Sequence, residues 1–498
     1  MLMNHGVGTG PVINGAAALA ILILTGCIVG PNFRTPPAPA ADAYMRNQPA
    51  ATTGTAAGAG AAQTFHPGAP LPPRWWNVFE SPALDALVEQ AMFGSPDAAQ
   101  SQARLLEAQA NLAAQSGATL LPTVDGAVSA ARQRVYLAAF GITNAPTPAP
   151  FNLYNVSVNA SYSLDLFGGN RRAIESLGAQ VDYRYFELAA SRWTLAANVV
   201  TAAIRRASIG AQVTATVELL ATQRQQLRIM RTRSTLGGIS ESALRDQQLL
   251  LAQTQATLPA LEKQRDQLTH QLAVYTGRSP GEAMPPDLAL ADLRLPVDLP
   301  LTLPAELVRE RPDVRASEAL WHAACAQVGV ATANLFPKLT LTGSAGSERL
   351  SAGELADSLN VWSLGAQAMQ PLFHGGQLRA TRRASEAAYD AAAAGYELTV
   401  LHALQQVADG LAALDADARV LEAQTNAAEQ AEANFDVAQR RYTLGGVSEW
   451  TLLDAQRQWQ QVQISMLAAV GDRYADTAAL FHALGGWNDA VARSGALK

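Results

Sequence analysis

"RSTLGGISESALRDQ" at residues 233–247 and "RYTLGGVSEWTLLDA" at residues 441–455 are one turn written twice, 208 positions apart. In each copy a glycine pair, Gly237-Gly238 or Gly445-Gly446, supplies left-handed backbone that ends one helix and reverses the chain. Ser240 and Ser448 then stand as N-caps, with Glu241 and Glu449 in a first turn that favours negative charge. Both turns therefore read as tips of helical hairpins. No proline interrupts the chain from Phe167 to Gly237 or from Phe373 to Gly445. At about 1.5 Å per residue, each run makes a helix roughly 100 Å long.

The packing of these helices is also legible. Val400, Leu404, Val407, Leu411, Leu414, Ala418 and Leu421 step by four and three, the 3.5-residue seam of a coiled coil. Val213, Val217, Leu220 and Leu227 keep that step past Arg224, as do Leu261, Leu268, Leu272 and Tyr275 past Arg265. Pro259, inside the returning helix, predicts a kink.

The turns belong to a longer internal duplication. "SPDAAQSQARLLEAQANLAAQSGATLLPTVDG" at 95–126 parallels "RPDVRASEALWHAACAQVGVATANLFPKLTLTG" at 311–343, and "SYSLDLFGGNRRA" at 161–173 parallels "GAQAMQPLFHGGQLRA" at 365–380. A period near 208 is far outside the solenoid range, so this is a two-copy duplication in which each half runs helix, strand pair, long helix, turn, long helix. From Tyr154 to Leu166 the even positions are apolar or aromatic, and the odd ones are polar from Asn155 to Asp165. That is the period of a strand with one apolar and one wet face. Trp362, Leu364, Ala366 and Ala368 alternate likewise, as do Leu339, Leu341 and Ala345, while the strand around Val124 and Val128 is the weakest signal. Four strands cannot close a barrel, and lipid tolerates no free sheet edge. Either they form a soluble sheet packed on helices, or several chains share one barrel.

Composition narrows the class. With 16% charged residues, 6% aromatics and a net charge of -6, the chain carries no basic footprint for nucleic acid. The apolar run "AAALAILIL" at 16–24 is shorter than the ~20 residues of a membrane span and reads as a secretory signal over residues 1–26. Residues 30–73 are rich in Pro, Ala, Gly and Thr and predict an extended tether that docks at Trp75 and Trp76. Cys325 sits in an Ala-rich helix as a small packing residue. The seven histidines form no close ligand pair, and there is no H-E-x-x-H, P-loop or G-x-S-x-G, so neither an enzyme nor a metal site is expected.

Leu24-Thr25-Gly26-Cys27 resembles a bacterial lipobox. The resemblance implies cleavage before Cys27 and a covalent N-acyl and S-diacylglycerol lipid there, with Ile28 favouring the outer membrane. The repeats resemble the outer-membrane factor (TolC-like) family, and within it the lipoprotein branch of OprM- and NodT-type efflux channels. The most specific stretches are "LPAELVRERPDVRASEALWHAACAQVGVATANLFPKLTLTGSAG" at 303–346, "WSLGAQAMQPLFHGGQLRA" at 362–380 and "RRYTLGGVSEWTLLDAQR" at 440–457. The implied fold is mixed α and transmembrane β: a homotrimeric 12-stranded barrel, four strands per chain, continued by a long α-helical coiled-coil barrel. Along the chain it assigns 27–80 to a lipidated extended segment, 81–290 to the first repeat, 291–302 to a linker, 303–487 to the second repeat and 488–498 to a tail.

The resemblance also implies a passive exit duct that hydrolyses nothing and needs no cofactor. Its partners would be a periplasmic adaptor, an inner-membrane transporter of RND or MFS type, and outer-membrane lipid. The tips become its gate: Asp454 matches the family's aperture aspartate, Arg441 and Tyr442 its residues at the closing hairpin, and Trp450 stands where the branch has a leucine. The duplication puts Asp246 and Arg233 at equivalent places in the first hairpin. A contact of Asp454 with Arg457, three residues on, is the alternative use of that carboxylate. The rival readings are a type I protein-secretion duct and a structural periplasmic coiled-coil lipoprotein.

Overall fold

The computed structural model describes residues 28–37, 43–46, 51–55, 60–136, 141, 146, 148–282, 288–355 and 359–486. Cys27 and the tail at 488–498 lie outside them. After β1 (Thr64–Pro67) and α1 (Pro82–Gly94) come α2 (Pro96–Leu120), β2 (Thr123–Gln133), β3 (Phe151–Leu164), α3 (Gly169–Thr235) and α4 (Glu241–Tyr275). A short β4 (Asp298–Leu301) and α5 (Pro304–Glu310) precede α6 (Pro312–Ala333), β5 (Lys338–Arg349), β6 (Val361–Met369), α7 (Gln377–Thr443) and α8 (Glu449–Leu484). The order helix, two strands, long helix, returning helix thus occurs twice, and both long helices have 67 residues. Helix α4 runs through Pro259 to Tyr275. No helix among the described residues is long and apolar enough to cross a membrane, which leaves the strands unjudged.

The chain forms two compact units that do not follow the repeats in chain order. Unit one takes residues up to Thr35 with Leu105–Tyr183 and Ser317–Tyr396; unit two takes Pro36–Arg104, Arg184–Ala316 and residues from Glu397 on.

In unit one, β2, β3, β5 and β6 make a four-stranded antiparallel sheet in that order. Its register aligns the apolar faces of all four strands. Val128 lies opposite Val156, Val158 opposite Ala345, and Ala345 opposite Trp362; one row over, Ala160 faces Gly343 and Gly343 faces Leu364. Asn159, Ser344 and Ser363 form a row of the other, polar face. A slip of one residue would have turned one strand's apolar set to the wet side. The apolar face is bare: Val128 is 79% and Leu364 83% exposed. The outer strands β2 and β6 are exposed at every residue.

The described residues of the N-terminal segment dock well before Trp75 and Trp76, the point at which the expected tether was to meet the body. In unit one the buried Arg172 donates to the Val29 carbonyl (3.3 Å), the Gly30 carbonyl (3.4 Å) and Asn32 Oδ1 (2.6 Å), while Phe33 stacks on His322 at 4.6 Å. In unit two β1 pairs in parallel with β4, and Gln63 donates to the Pro296 carbonyl and to Thr477 Oγ1, both at 3.1 Å. Composition alone marked these residues as unable to order themselves; what orders them is their backbone carbonyls, which buried arginines on distant helices need as acceptors.

Unit two is held by the coiled-coil seams and an aromatic knot. Trp75 is fully buried and stacks on Phe481, with ring centroids 5.6 Å apart. Val400, Val407, Leu411, Leu414, Ala418 and Leu421 are buried, and Leu404 half-buried. On α3 the expected seam holds at Leu220 and Leu227, which are buried, and at half-buried Val213, but fails at Val217, which is exposed; Thr216, Leu219, Gln223 and Gln226 are buried beside it. Polar side chains share that stripe with leucines, so a purely apolar count found only part of it.

Candidate functional site at the hairpin tips

Both tips are built by the same local bonds. The Gly238 and Gly446 amides donate to the Arg233 and Arg441 carbonyls at 2.8 Å, and the Gly237 and Gly445 amides donate to Ser234 and Tyr442 at 3.0 Å. This pairing closes a helix with one left-handed residue. That residue is the first glycine of each pair, Gly237 (φ +71°) or Gly445 (φ +75°); neither Gly238 nor Gly446 has positive φ. The second glycine serves close approach, since a Cβ at Gly238 would lie 3.3 Å from the Arg233 carbonyl oxygen. Ser240 and Ser448 cap the returning helices, accepting from the Ala243 and Thr451 amides at 3.3 Å.

The charged residues singled out at the tips are not equivalent. Asp454 is held within its own helix: Arg457 Nη2 and Nε donate to Oδ1 at 3.0 and 3.1 Å, and Gln458 Nε2 to Oδ2 at 2.9 Å. The three-residue contact weighed from sequence is formed. Asp246, its counterpart, is exposed and has no side-chain partner among the described residues, while neighbouring Arg245 pairs with Glu241. Arg233 and Arg441 lend their carbonyls to the turns, and their side chains have no partner among the described residues, so no arginine–aspartate bond between hairpins forms within one chain. Tyr442 is exposed and Trp450 half-buried.

What does join the hairpins near the tips is Gln225 Nε2 on α3, donating to Glu449 Oε1 on α8 at 3.3 Å. Within the first hairpin, Leu220, Leu227 and Leu251 form a buried cluster. Two buried polar pairs run beside it: Gln226 accepts from Gln247 at 3.1 Å, and Gln223 donates to Thr254 at 2.9 Å. In the second hairpin Phe435 and Trp459 stack at 5.5 Å, nearly parallel. The apolar step in the sequence named Leu220 and Leu227 and missed the rest of these seams. Comparing the copies at the 208-residue offset, where Leu227 and Leu251 become Phe435 and Trp459, would have found them.

The tips thus present charges and an indole at two helix ends, and the sheet of unit one an uncovered apolar face. The outer membrane efflux protein family matches residues 87–278 and 303–486. The pyoverdine export outer membrane protein OpmQ of Pseudomonas putida is 32% identical over 415 residues, covering 83% of this chain and 88% of that protein. The solvent efflux pump outer membrane protein SrpC of Pseudomonas putida is 31% identical over 486 residues, covering 94% and 97%. Among solved structures, the outer-membrane channel OprN superposes with a TM-score of 0.79 at 27% identity, covering 93% of this chain and 99% of that one. The CmeC outer membrane channel of Campylobacter jejuni has a TM-score of 0.80 over 92% of this chain and 95% of its own, at 19% identity, a likeness of fold alone. The chain belongs to the outer membrane efflux protein family, the outer-membrane channels of tripartite efflux pumps.

Proposed function

We propose that this efflux channel works as a homotrimer: four strands from each of three chains close one barrel of twelve, and the long hairpins continue it as a helical duct into the periplasm. The observation that carries this reading is the sheet of unit one. Its edges β2 and β6 are unpaired among the described residues, and its aligned apolar face is exposed, a combination that water and lipid both penalise until edges meet. Lipid on Cys27 would anchor each chain in the outer membrane, with the docked residues 28–33 fixing where the anchor begins.

The tips form the gate. Asp454, Arg441, Tyr442, Trp450, Asp246 and Arg233 would ring the mouth three times over, and partners for the free arginines would come from neighbouring chains. A periplasmic adaptor would seat there and couple the duct to an inner-membrane transporter of RND or MFS type. The cargo class is small toxic molecules; relatives named for solvent efflux and pyoverdine export support it over secreted protein. The test is the mass and conductance of the detergent-purified full chain. A particle of three chains that conducts in planar bilayers, with altered cation selectivity after replacing Asp454 and Arg441 by Ala, is the expected result. A monomer that does not conduct overturns it.

A further inference from the structure

Unit two holds a carboxyl cluster that the efflux reading does not use. Asp417 on α7 lies 28 residues before Gly445, and Asp476 on α8 lies 30 after Gly446, so the hairpin sets them opposite one another. Their carboxyl groups are within hydrogen-bonding reach, and Asp472, one turn back on α8, adds a third negative field. Asp417 Oδ2 is shut off from solvent and receives no N–H or O–H donor among the described residues.

Arg473, beside the cluster, is fully buried, yet its donors point elsewhere. Nε reaches Gln63 Oε1 at 3.3 Å, Nη2 reaches Thr53 Oγ1 at 3.1 Å and the Ala61 carbonyl at 2.8 Å, and Nη1 has no acceptor among the described residues. The residues of the strap it holds, 51–55 and 60–65, include no ionisable side chain. Arg205 on α3 acts on Asp472. Among the described residues, nothing opposite Asp417 therefore forms an ion pair with it. Burial first, then the fields of Asp476 and Asp472 against the weaker pull of Arg473, push its carboxyl up to about 7. Burial and Asp476 raise Asp472 as well.

We propose that Asp417 acts as a pH-responsive clasp: in its protonated form it ties α7 to α8 against Asp476, beside residues 60–65, and release of its proton to solvent sets a negative charge against Asp476 and loosens the second hairpin. The clasp is a property of the folded chain; its effect on conduction rests on the duct reading. The folded chain holds the proton more tightly than the unfolded chain. The stabilisation is therefore complete below the ordinary carboxylate range and is lost as pH rises through about 7.

Amide hydrogen exchange on the full-length protein at about pH 6 and about pH 8.5, corrected for intrinsic rates, reads the clasp directly. Peptides spanning Asp417 and Asp476 in the unsubstituted protein are expected to exchange about tenfold faster at the higher pH. Asp417→Asn keeps the shape but cannot ionise, and is expected to show equal protection at both values; Asp476→Asn should do the same. Equal protection in the unsubstituted protein, or an undiminished pH response in both variants, overturns the proposal. Should a variant fail to fold, the infrared band of the unsubstituted protein decides: a protonated carboxyl that disappears between about pH 6 and about pH 8 supports the clasp, and its absence at the lower pH overturns it. Failure to conduct in bilayers would remove the duct reading without altering this outcome.

Discussion

The first and second hairpins share a turn and differ in their seam. Their Gly-Gly tips make the same backbone bonds and the same serine caps. About two to four turns away, the first hairpin packs leucines around buried amides, and two of those amide atoms, Gln223 Oε1 and Gln226 Nε2, have no partner among the described residues. At the equivalent places the second hairpin has Ala431, Asn434, Ala455 and Val462, with the Phe435–Trp459 stack in place of Leu227 and Leu251. The turn is set by local chemistry and so is the same in both hairpins. A seam depends on what faces it across the hairpin and can diverge. Buried amide pairs penalise any slip that separates them, whereas a stack of two rings holds mainly through area.

Substitutions can break that contrast. The largest effect is expected in the leucine cluster: Leu227→Ala, at a buried position, should lower unfolding stability by about 3 kcal/mol. Phe435→Ala, at a half-buried one, should lower it by about 2 kcal/mol. Denaturant unfolding of the purified full chain measures both, and a larger loss at Phe435 would mean the aromatic seam is the tighter of the two.

The amide pair sharpens the comparison further. Gln226→Leu alone strands the Gln247 amide and should cost about 2 kcal/mol, while Gln226→Leu with Gln247→Leu should return to within about 0.5 kcal/mol of the starting stability. If single and double variants lose the same amount in the same unfolding measurement, the pair does not act as a unit.

A smaller effect separates the glycines within each turn. Gly445→Ala places a side chain at φ +75° and should cost about 1 to 2 kcal/mol, and Gly446→Ala less than about 1 kcal/mol. Matching results for Gly237 and Gly238 by thermal unfolding would show that the two turns remain equivalent in energy as well as in geometry.

Much of the fold was legible because it repeats simple periods. The proline-free runs became two 67-residue helices, the Val400–Leu421 seam is buried except at Leu404, and all four strands lie where alternation put them, including the weak one at Val124. The α3 seam was read only in part, at Leu220 and Leu227, because Thr216, Gln223 and Gln226 carry much of the rest, and polar residues do not register in an apolar count. The segment at 30–73 was expected to dock only at Trp75 and Trp76 for a similar reason: the anchors of its described residues, Arg172 and Arg473, are far away in the chain. At the site, residue types and their places on the tips could be read in advance. Their partners could not, since whether Asp454 meets Arg457 or an arginine of another hairpin is a matter of rotamer and neighbour.

By itself the sequence determined what depends on short chain separations: where each helix starts and stops, where the chain reverses, which residues of a strand share a face, and that the whole pattern occurs twice. Those features follow from backbone geometry and side-chain period. Tertiary structure alone decided the register that puts four apolar faces on one side of a sheet, the docking of a Pro- and Ala-rich strap onto buried arginines, and the meeting of Asp417 with Asp476. Each of these pairs groups far apart along the chain, and only packing sets the distances at which charge, hydrogen bond and burial take effect.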